Sequence, residues 1–239
     1  MQPKLTRISA AEAVVNHFKE LIETAALKPG DKLPSERQLQ QSLNISRFSL
    51  REGLARLSAL GIVHIIHGKG AYVSKEISRA SLANVFVPLF SANELNTYRD
   101  LGEARLVIER ESALRAANRR NNADIEKLKA IVAEMRASQN TPEKFGELDH
   151  RFHRIIVATA RNVFFERMFD VIGLHLKQFL YHHAQSPNAR TRALRQHAQI
   201  VNDIAAREGR AAAKHIETHL CGCRKNFEQA IKPSPERKR

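Results

Sequence analysis

Residues 34–73, PSERQLQQSLNISRFSLREGLARLSALGIVHIIHGKGAYV, contain two short helix patterns followed by two β-rich runs. Ser35 stands three residues before Gln38, which is the spacing of a helix capping box. The first helix is predicted to break at Leu43-Asn44-Ile45, and Ser46 can cap the second. The second helix places three leucines on one face: Leu50, Leu54 and Leu57. The pattern predicts a helix-turn-helix.

The start of the second helix is basic, with Arg47, Ser49 and Arg51 off the apolar face. A helix N-terminus has a partial positive charge, so cations gain no stability there. They do suit a recognition helix, whose N-terminal side chains reach into the major groove of DNA. We therefore predict that this helix reads DNA.

A predicted β-hairpin follows, formed by residues 62–66 and 71–73 around the His67-Gly68-Lys69-Gly70 tip. Two glycines permit positive φ angles, and a small tip can approach a duplex closely. A helix-turn-helix followed by a hairpin is a winged helix-turn-helix, with the hairpin as its wing.

These motifs resemble the GntR family of bacterial transcription regulators. The family pattern of Pro-Ser-Glu-Arg, Ser-Arg-x-x-x-Arg-Glu, Gly-(Ile/Leu)-Val and Gly-x-Gly corresponds to residues 34–37, 46–52, 61–63 and 68–70. The resemblance implies a DNA-binding regulator. The DNA contacts that we predict are Arg37, Arg47, Ser49, Arg51, His67 and Gly68.

Two positions depart from the family pattern. Phe48 stands where the family usually has Thr or Pro, and Gly53 where Ala is usual. The Phe48 ring could contact a thymine methyl group, or it could pack within the domain. The sequence leaves both roles open.

Composition is consistent with a nucleic-acid partner. The chain of 239 residues has a net charge of +14, which favours polyanions. Residues 1–80 contain 12 basic against 7 acidic residues and the remainder 27 against 18, so the excess is not confined to the predicted DNA reader. With no long apolar run and no signal-peptide core, we expect a cytoplasmic protein without a membrane partner.

The predicted fold is mainly α: a winged helix-turn-helix with a small β-hairpin wing, joined to an all-α helical bundle. The predicted divisions are a DNA-binding domain at 1–76, a linker and short helix at 77–90, a helical domain at 91–231 and a disordered tail at 232–239. The first helix is expected over residues 8–27.

The histidines of the helical half are the second informative feature. Asp149 and His153 are spaced i, i+4, so they share one helix face and could bind one divalent ion. His197 is expected to begin the next helix, and His219 lies in the last one. A single histidine is more often a surface or core residue than a metal ligand. We expect such ordinary roles for five others: His150, His175, His182, His183 and His215.

Residues 98–220 resemble the FCD ligand-binding domain of the FadR subgroup of GntR proteins, whose Asp-x-x-Phe-His motif corresponds to 149–153. The resemblance implies that Asp149, His153, His197 and His219 hold a divalent ion, zinc first, with nickel and manganese as alternatives. It also implies an effector site with Arg105 and Asn162. The alternatives are an ion pair of Arg105 with Glu109 or Glu103 and a helix cap for Asn162.

A single helix-turn-helix reads too few base pairs for genomic specificity, so we expect a homodimer on a pseudo-palindromic operator in double-stranded DNA. The expected function is a repressor released by a small carboxylate effector, such as a sugar acid or hydroxy acid. Three rival functions are a sensor of the metal itself, an acyl-CoA responder and a metalloenzyme. A metalloenzyme would need a general base, and the sequence shows no motif that supplies one.

Cys221 and Cys223 are two residues apart on a predicted helix and point to different faces. We therefore predict that they neither pair with each other nor bind a metal jointly.

Overall fold

The structure, a computed structural model, describes residues 8–75, 94–175 and 184–230. The chain divides into two compact units, Met1–Phe86 and Val87–Arg239, which are described separately. The predicted linker at 77–90 and tail at 232–239 lie outside the described residues. None of the described helices is long and apolar enough to cross a membrane.

The first unit contains three helices and a hairpin among its described residues. They are α1 (Ala10–Glu23), α2 (Glu36–Leu43), α3 (Arg47–Ala59), β1 (Val63–Ile66) and β2 (Gly70–Val73). The first helix is shorter than expected because it begins after the Ser9 cap, whose side chain accepts from the Glu12 N–H. It ends at Glu23 with Thr24 as its C-cap, and Ala25 then has a left-handed φ of 57°.

The helix-turn-helix prediction is confirmed in its local detail. Ser35 and Gln38 form a capping box at the start of α2, and Ser46 caps α3. The turn between them is made by Asn44, a residue that tolerates its φ of 49°. The three leucines of α3 are buried together with α1 residues: Leu50, Leu54, Leu57, Val14, Val15 and Phe18.

Gly53 permits a close approach of α1 to α3. A Cβ atom at this position would lie 2.6 Å from the Cβ of Val14 and 3.0 Å from the carbonyl oxygen of Ala11. Such distances are too short for van der Waals contact, so any larger residue would force the helices apart. This packing is the physical reason for glycine where the family usually has alanine.

The wing is a two-stranded antiparallel hairpin with Val63 opposite Val73 and Ile66 opposite Gly70. Its tip contains Gly68, whose φ of 73° favours glycine. One feature was not predicted: Lys32 forms a β-bridge with Tyr72, which ties the α1–α2 connection to strand β2.

The second unit contains six helices among its described residues. They are α4 (Glu94–Arg119), α5 (Asn122–Ala137), α6 (Pro142–Thr159), α7 (Val163–His175), α8 (Pro187–Ala205) and α9 (Gly209–Ala230). Asn121 caps α5, and Pro142 and Pro187 occupy the first positions of α6 and α8, where a missing N–H costs nothing. The expectation that His197 begins a helix was wrong. Because α8 already starts at Pro187, His197 lies in its middle, and its ring points into the bundle.

The bundle packs around a large apolar core. Its fully buried side chains include Leu128, Met135, Phe145, Phe152 and Ile200. Burial of each such side chain contributes roughly 1.5–3 kcal/mol. Helices α4, α6, α8 and α9 pack against this core, and they also bring a group of polar side chains to the same interior.

Candidate functional site

The four predicted metal ligands meet inside the helical unit. Asp149 and His153 come from α6, His197 from α8 and His219 from α9. All four side chains are buried, and one potential ligand atom from each lies within 4.8 Å of the others. Burial of four titratable groups without compensation would be costly, so their convergence points to a common ligand.

The distances between these atoms suit a single ion. The Nε2 atom of His219 lies 3.3 Å from His153 Nε2 and 3.2 Å from His197 Nε2. Asp149 Oδ1 lies 3.4 Å from His197 Nε2. Ligands at about 2.0–2.2 Å from a tetrahedral or octahedral ion are roughly 3–3.5 Å from their neighbours.

Two of the rings have a polar partner at Nδ1. His219 Nδ1 lies 3.0 Å from Gln196 Oε1, and an amide oxygen can only accept. His153 Nδ1 contacts Glu109 Oε2. A neutral ring with its proton on Nδ1 would present the Nε2 lone pair to the cluster.

Asp149 completes the donor set. Its Oδ1 atom is buried and accepts no hydrogen bond from the described residues. Burial raises the pKa of this carboxyl to about 7, with Glu109 adding to the rise and Arg105 opposing it. A divalent ion bound beside this carboxyl would stabilise its ionised form.

These observations fit a metal ion held by three imidazoles and one carboxylate. Imidazole donors suit zinc and nickel, and a carboxylate is also accepted by manganese. Glu109 and Gln196 would orient two of the ligating rings, as carboxylates and amides commonly do around metal-bound histidine. The sequence analysis missed both orienting roles. Glu109 was considered only as a partner of Arg105, and Gln196 had no signal beyond its place beside His197.

Arg105 is buried against the cluster, with 3% of its surface exposed. Its Nε atom donates to Glu109 Oε1, so the ion pair that was left open as an alternative is present. Its Nη2 atom is also buried and has no acceptor among the described residues. The guanidinium therefore forms the ion pair and still offers an unused donor.

Asn162 has the alternative role that the sequence left open. Its Oδ1 atom accepts from the backbone N–H groups of Phe164 (3.0 Å) and Phe165 (3.3 Å), so it caps α7. This contact explains the residue without an effector.

Two of the remaining histidines have ordinary structural environments. The His150 ring stacks on Phe169 with centroids 5.2 Å apart, and burial lowers its pKa to about 4. His215 pairs with Asp203 on the adjacent helix α8. The other three either lie outside the described residues (His182 and His183) or have no described side chain (His175).

Cys223 is the unexpected neighbour of the cluster. Its Sγ atom lies 3.6 Å from His219 Nε2, one helical turn away on α9. The side chain is buried, and burial together with the charge of Asp149 raises the pKa of the thiol above its usual range. Cys221, two residues earlier, is only half-buried.

The predicted DNA contacts of α3 lie at the protein surface. Arg47 and Arg51 are 68% and 58% exposed, and both face Glu36 of α2, at 3.6 Å and 3.0 Å. The sequence analysis did not consider Glu36. Because exposed ion pairs contribute little, a phosphate or base edge can replace this carboxylate as the partner of either arginine.

The remaining predicted contacts are also accessible. Arg37, His67 and Gly68 are exposed, and Ser49 is partly exposed with its hydroxyl 2.9 Å from that of Ser46. Phe48 is 79% exposed, so it does not pack in the described core of this unit. Of its two possible roles, only the one outside the domain is compatible with this exposure.

Comparison with known families and proteins gave matches over most of the chain. The profile of bacterial regulatory proteins of the gntR family matches residues 10–73, and that of the FCD domain matches residues 100–221. The Glc operon transcriptional activator of Escherichia coli K12 is 32% identical over 90% of this chain and 88% of its own.

Other relatives are similar over comparable lengths. A candidate regulator of the L-lactate dehydrogenase operon of Escherichia coli K12 is 30% identical over 88% of this chain and 83% of its own. The repressor NanR of Citrobacter rodentium is 28% identical over 90% and 84%. Among solved structures, a GntR protein of Streptococcus agalactiae has the same fold, with a TM-score of 0.68 at 23% identity over 90% of this chain and 99% of its own.

Proposed function

The chain belongs to the GntR family of bacterial regulators and contains an FCD domain, and on this basis we propose that a small carboxylate bound beside a divalent ion controls its affinity for DNA. The protein is a DNA-binding transcription regulator and not an enzyme. The proposal concerns the signal and how the bundle recognises it.

The observation that supports a carboxylate effector is the unused donor of Arg105. Its Nη2 atom is buried and has no acceptor within the described part of the chain, and the charge of the same guanidinium acts on Asp149. A buried guanidinium N–H without a partner is costly, whereas a carboxylate is its preferred acceptor. One carboxylate could accept from Arg105 and place an oxygen at an open position of the ion.

A second unused polar atom lies further along the same helix. Ser112 is seven residues after Arg105, on the same face of α4, and its buried Oγ atom has no partner among the described residues. Seven residues correspond to about 10 Å along a helix axis, so one small acid would not reach both atoms, and Ser112 is not assigned to the effector. We propose a small sugar acid or hydroxy acid as the effector class.

The relatives support this class by their descriptions. One is a candidate regulator of an L-lactate dehydrogenase operon, and lactate is a 2-hydroxy acid. The relatives differ in whether they activate or repress transcription, since one is described as an activator and another as a repressor. For this chain we propose a repressor that the acid releases from its operator.

The proposed ligands of the ion are Asp149, His153, His197 and His219, with zinc as the first candidate and nickel and manganese as the others. The ion would supply a positive charge and open positions for an oxygen ligand. Asn162 is not required, because its side chain caps α7. The Asp149 carboxylate and the three imidazoles hold the ion, and Arg105 orients the acid.

For DNA, the proposed contacts are the exposed side chains of the winged helix: Arg37, Arg47, Ser49, Arg51, His67 and Gly68. We propose that two copies bind a pseudo-palindromic operator, because one recognition helix contacts too few base pairs. The acid can change operator affinity only if it binds one arrangement of the dimer better than another.

Thermal stability of the full chain tests the signal. The melting temperature is measured for metal-free and metal-loaded protein with a panel of hydroxy acids, sugar acids and dicarboxylates. A ligand of the folded state raises it by mass action. We expect one acid class to do so only with metal present, and to weaken operator binding. A response to metal alone, with no acid effective, would overturn the carboxylate effector and indicate a structural metal, unless operator binding also changes with the metal, as a metal sensor requires.

A further inference from the structure

The position of Cys223 gives the metal centre a possible sulfur donor. The residue lies four positions after His219 on α9, so the two side chains occupy the same face of the helix. Its Sγ atom is 3.6 Å from His219 Nε2, the nitrogen whose lone pair faces the cluster. The sulfur lies against the His219 corner of the cluster, outside the set of four atoms within 4.8 Å of one another.

The distance between sulfur and nitrogen suits two ligands of one ion. A thiolate binds zinc at about 2.3 Å and an imidazole at about 2.0–2.1 Å. These bonds place nitrogen and sulfur roughly 3.1 Å apart at the 90° angle of a six-coordinate ion and roughly 3.5 Å apart at a tetrahedral angle. The observed 3.6 Å is slightly longer than both, so the sulfur must move toward the cluster to bind the ion that His219 binds.

A cysteine beside a histidine is not a site by itself. The second observation here is Asp149, whose side chain is only 4% exposed and whose Oδ1 atom lacks a hydrogen bond from the described residues. This oxygen faces His197 Nε2 across the same cluster. The Nε2 atoms of His197 and His219 are 3.2 Å apart, so the thiol and the carboxylate oxygen lie beside neighbouring ring nitrogens of one cluster.

We propose that Cys223 is a fifth protein ligand of the ion in the Asp149, His153, His197 and His219 cluster. This inference rests on the proposed metal centre and deepens it. A thiolate changes the metal preference, because sulfur donors suit zinc, cobalt and nickel better than manganese. Five protein ligands would also leave one position of a six-coordinate ion for an oxygen of the effector.

Cobalt(II) is the probe for the test, because a thiolate bound to it gives a charge-transfer absorption in the near ultraviolet. The metal-free full chain is titrated with cobalt, and bound cobalt is measured independently by equilibrium dialysis. We expect the absorption to rise up to one equivalent. Cys223→Ser should abolish it and lower cobalt affinity by at least about tenfold.

Cys221→Ser is the matched control, since it removes a thiol two residues away on the same helix. It should keep both the absorption and the affinity of the parent. Loss of the absorption in Cys221→Ser would overturn the proposal, because the sulfur would then come from the wrong residue.

Cobalt binding by the parent protein tests the proposal even if Cys223→Ser fails to fold. Cobalt bound at one equivalent without the charge-transfer absorption would overturn the role of Cys223 and leave the proposed metal centre intact. Failure to bind cobalt, nickel or zinc in the dialysis would instead overturn the metal centre, and the role of Cys223 with it.

Discussion

The Nε2 atoms of His153 and His219 lie 3.3 Å apart inside the bundle, although 66 positions separate the two residues in the sequence. The Nδ1 atom of one ring contacts Glu109 and that of the other lies 3.0 Å from Gln196 Oε1. Neutral rings with their protons on Nδ1 would direct two lone pairs at each other, an arrangement that a cation between the rings stabilises. This contact between two distant residues lies at the centre of the proposed metal site, on which metal binding, stability and effector binding should depend.

The double variant His153→Ala and His219→Ala should no longer bind metal, because two of four ligands are removed. We expect the parent to lose stability on addition of a chelator and the variant to show no change. Operator binding by the metal-free variant should remain measurable, since both residues lie outside the DNA-binding unit. His215→Ala is the control, because His215 pairs with Asp203 outside the cluster. A variant that still bound one equivalent of metal would contradict the assignment.

Metal affinity should depend on pH through Asp149. In the metal-free protein, burial raises the pKa of its carboxyl to about 7. Only the ionised carboxylate binds the ion, so affinity should fall as the pH is lowered through 7, by up to about tenfold per pH unit from this group. Isothermal titration calorimetry between pH 6 and about 8 measures this slope. Asp149→Asn should show a shallower slope, and an unchanged slope would exclude Asp149 as the titrating ligand.

The same shift affects the stability of the metal-free protein. Because the folded pKa of Asp149 lies above its unfolded value of 3.8, the folded state holds the proton more tightly. The contribution of this group to the free energy of unfolding should therefore decrease as the pH rises from about 4 to 7. Denaturant unfolding of the parent and of Asp149→Asn, both without metal, measures the difference, which should be largest above pH 7. Equal pH dependence in both proteins would show that Asp149 is not protonated in the folded state.

Arg105→Lys should weaken effector binding while leaving the metal bound. Lysine keeps the charge but cannot form the ion pair with Glu109 and donate to a carboxylate in the same geometry. A hydrogen bond to a charged group contributes about 1.5–3 kcal/mol, so we expect a loss of about 10- to 100-fold in affinity for the acid. Calorimetric titration with the acid found in the stability screen measures it. The exposed Arg110 on the same helix provides the control Arg110→Lys, which should bind the acid like the parent.

Arg47→Ala and Arg51→Ala should each reduce operator affinity and sequence preference. If either side chain reads guanine, its loss costs about 1–3 kcal/mol of discrimination. Arg56→Ala is the control on the same helix, because Arg56 in the last turn pairs with Glu12 and Glu52. Competition between operator and unrelated DNA separates base reading from phosphate binding. Parent-like operator binding by Arg51→Ala would show that the recognition surface is placed incorrectly.

Phe48→Ala should change DNA binding without changing the fold. The side chain is 79% exposed, so its removal should alter the free energy of unfolding by no more than about 0.5 kcal/mol. Phe18→Ala is the contrast, since that ring is buried and its removal should cost about 3–5 kcal/mol. If the Phe48 ring contacts a thymine methyl, the variant should lose preference at one A·T position of the operator. Strong destabilisation by Phe48→Ala would contradict its exposure.

The sequence determined the elements whose signals are local. Ser35, Asn44 and Ser46 mark the helix-turn-helix because caps and left-handed turns depend on neighbouring residues, and the wing glycines mark the hairpin for the same reason. The Asp149 and His153 pair was visible as an i, i+4 spacing, and the resemblance to a family added His197 and His219.

Only the tertiary structure decided which distant side chains share the interior of the bundle. Glu109 and Gln196 contact the rings of His153 and His219, and Cys223 lies beside the latter, because side chains of α4, α6, α8 and α9 converge in the interior of the bundle. Helical periodicity gives the face of each residue but not the rotation and depth at which two helices meet. Those depend on the packing of the whole core, so no short stretch of sequence contains them.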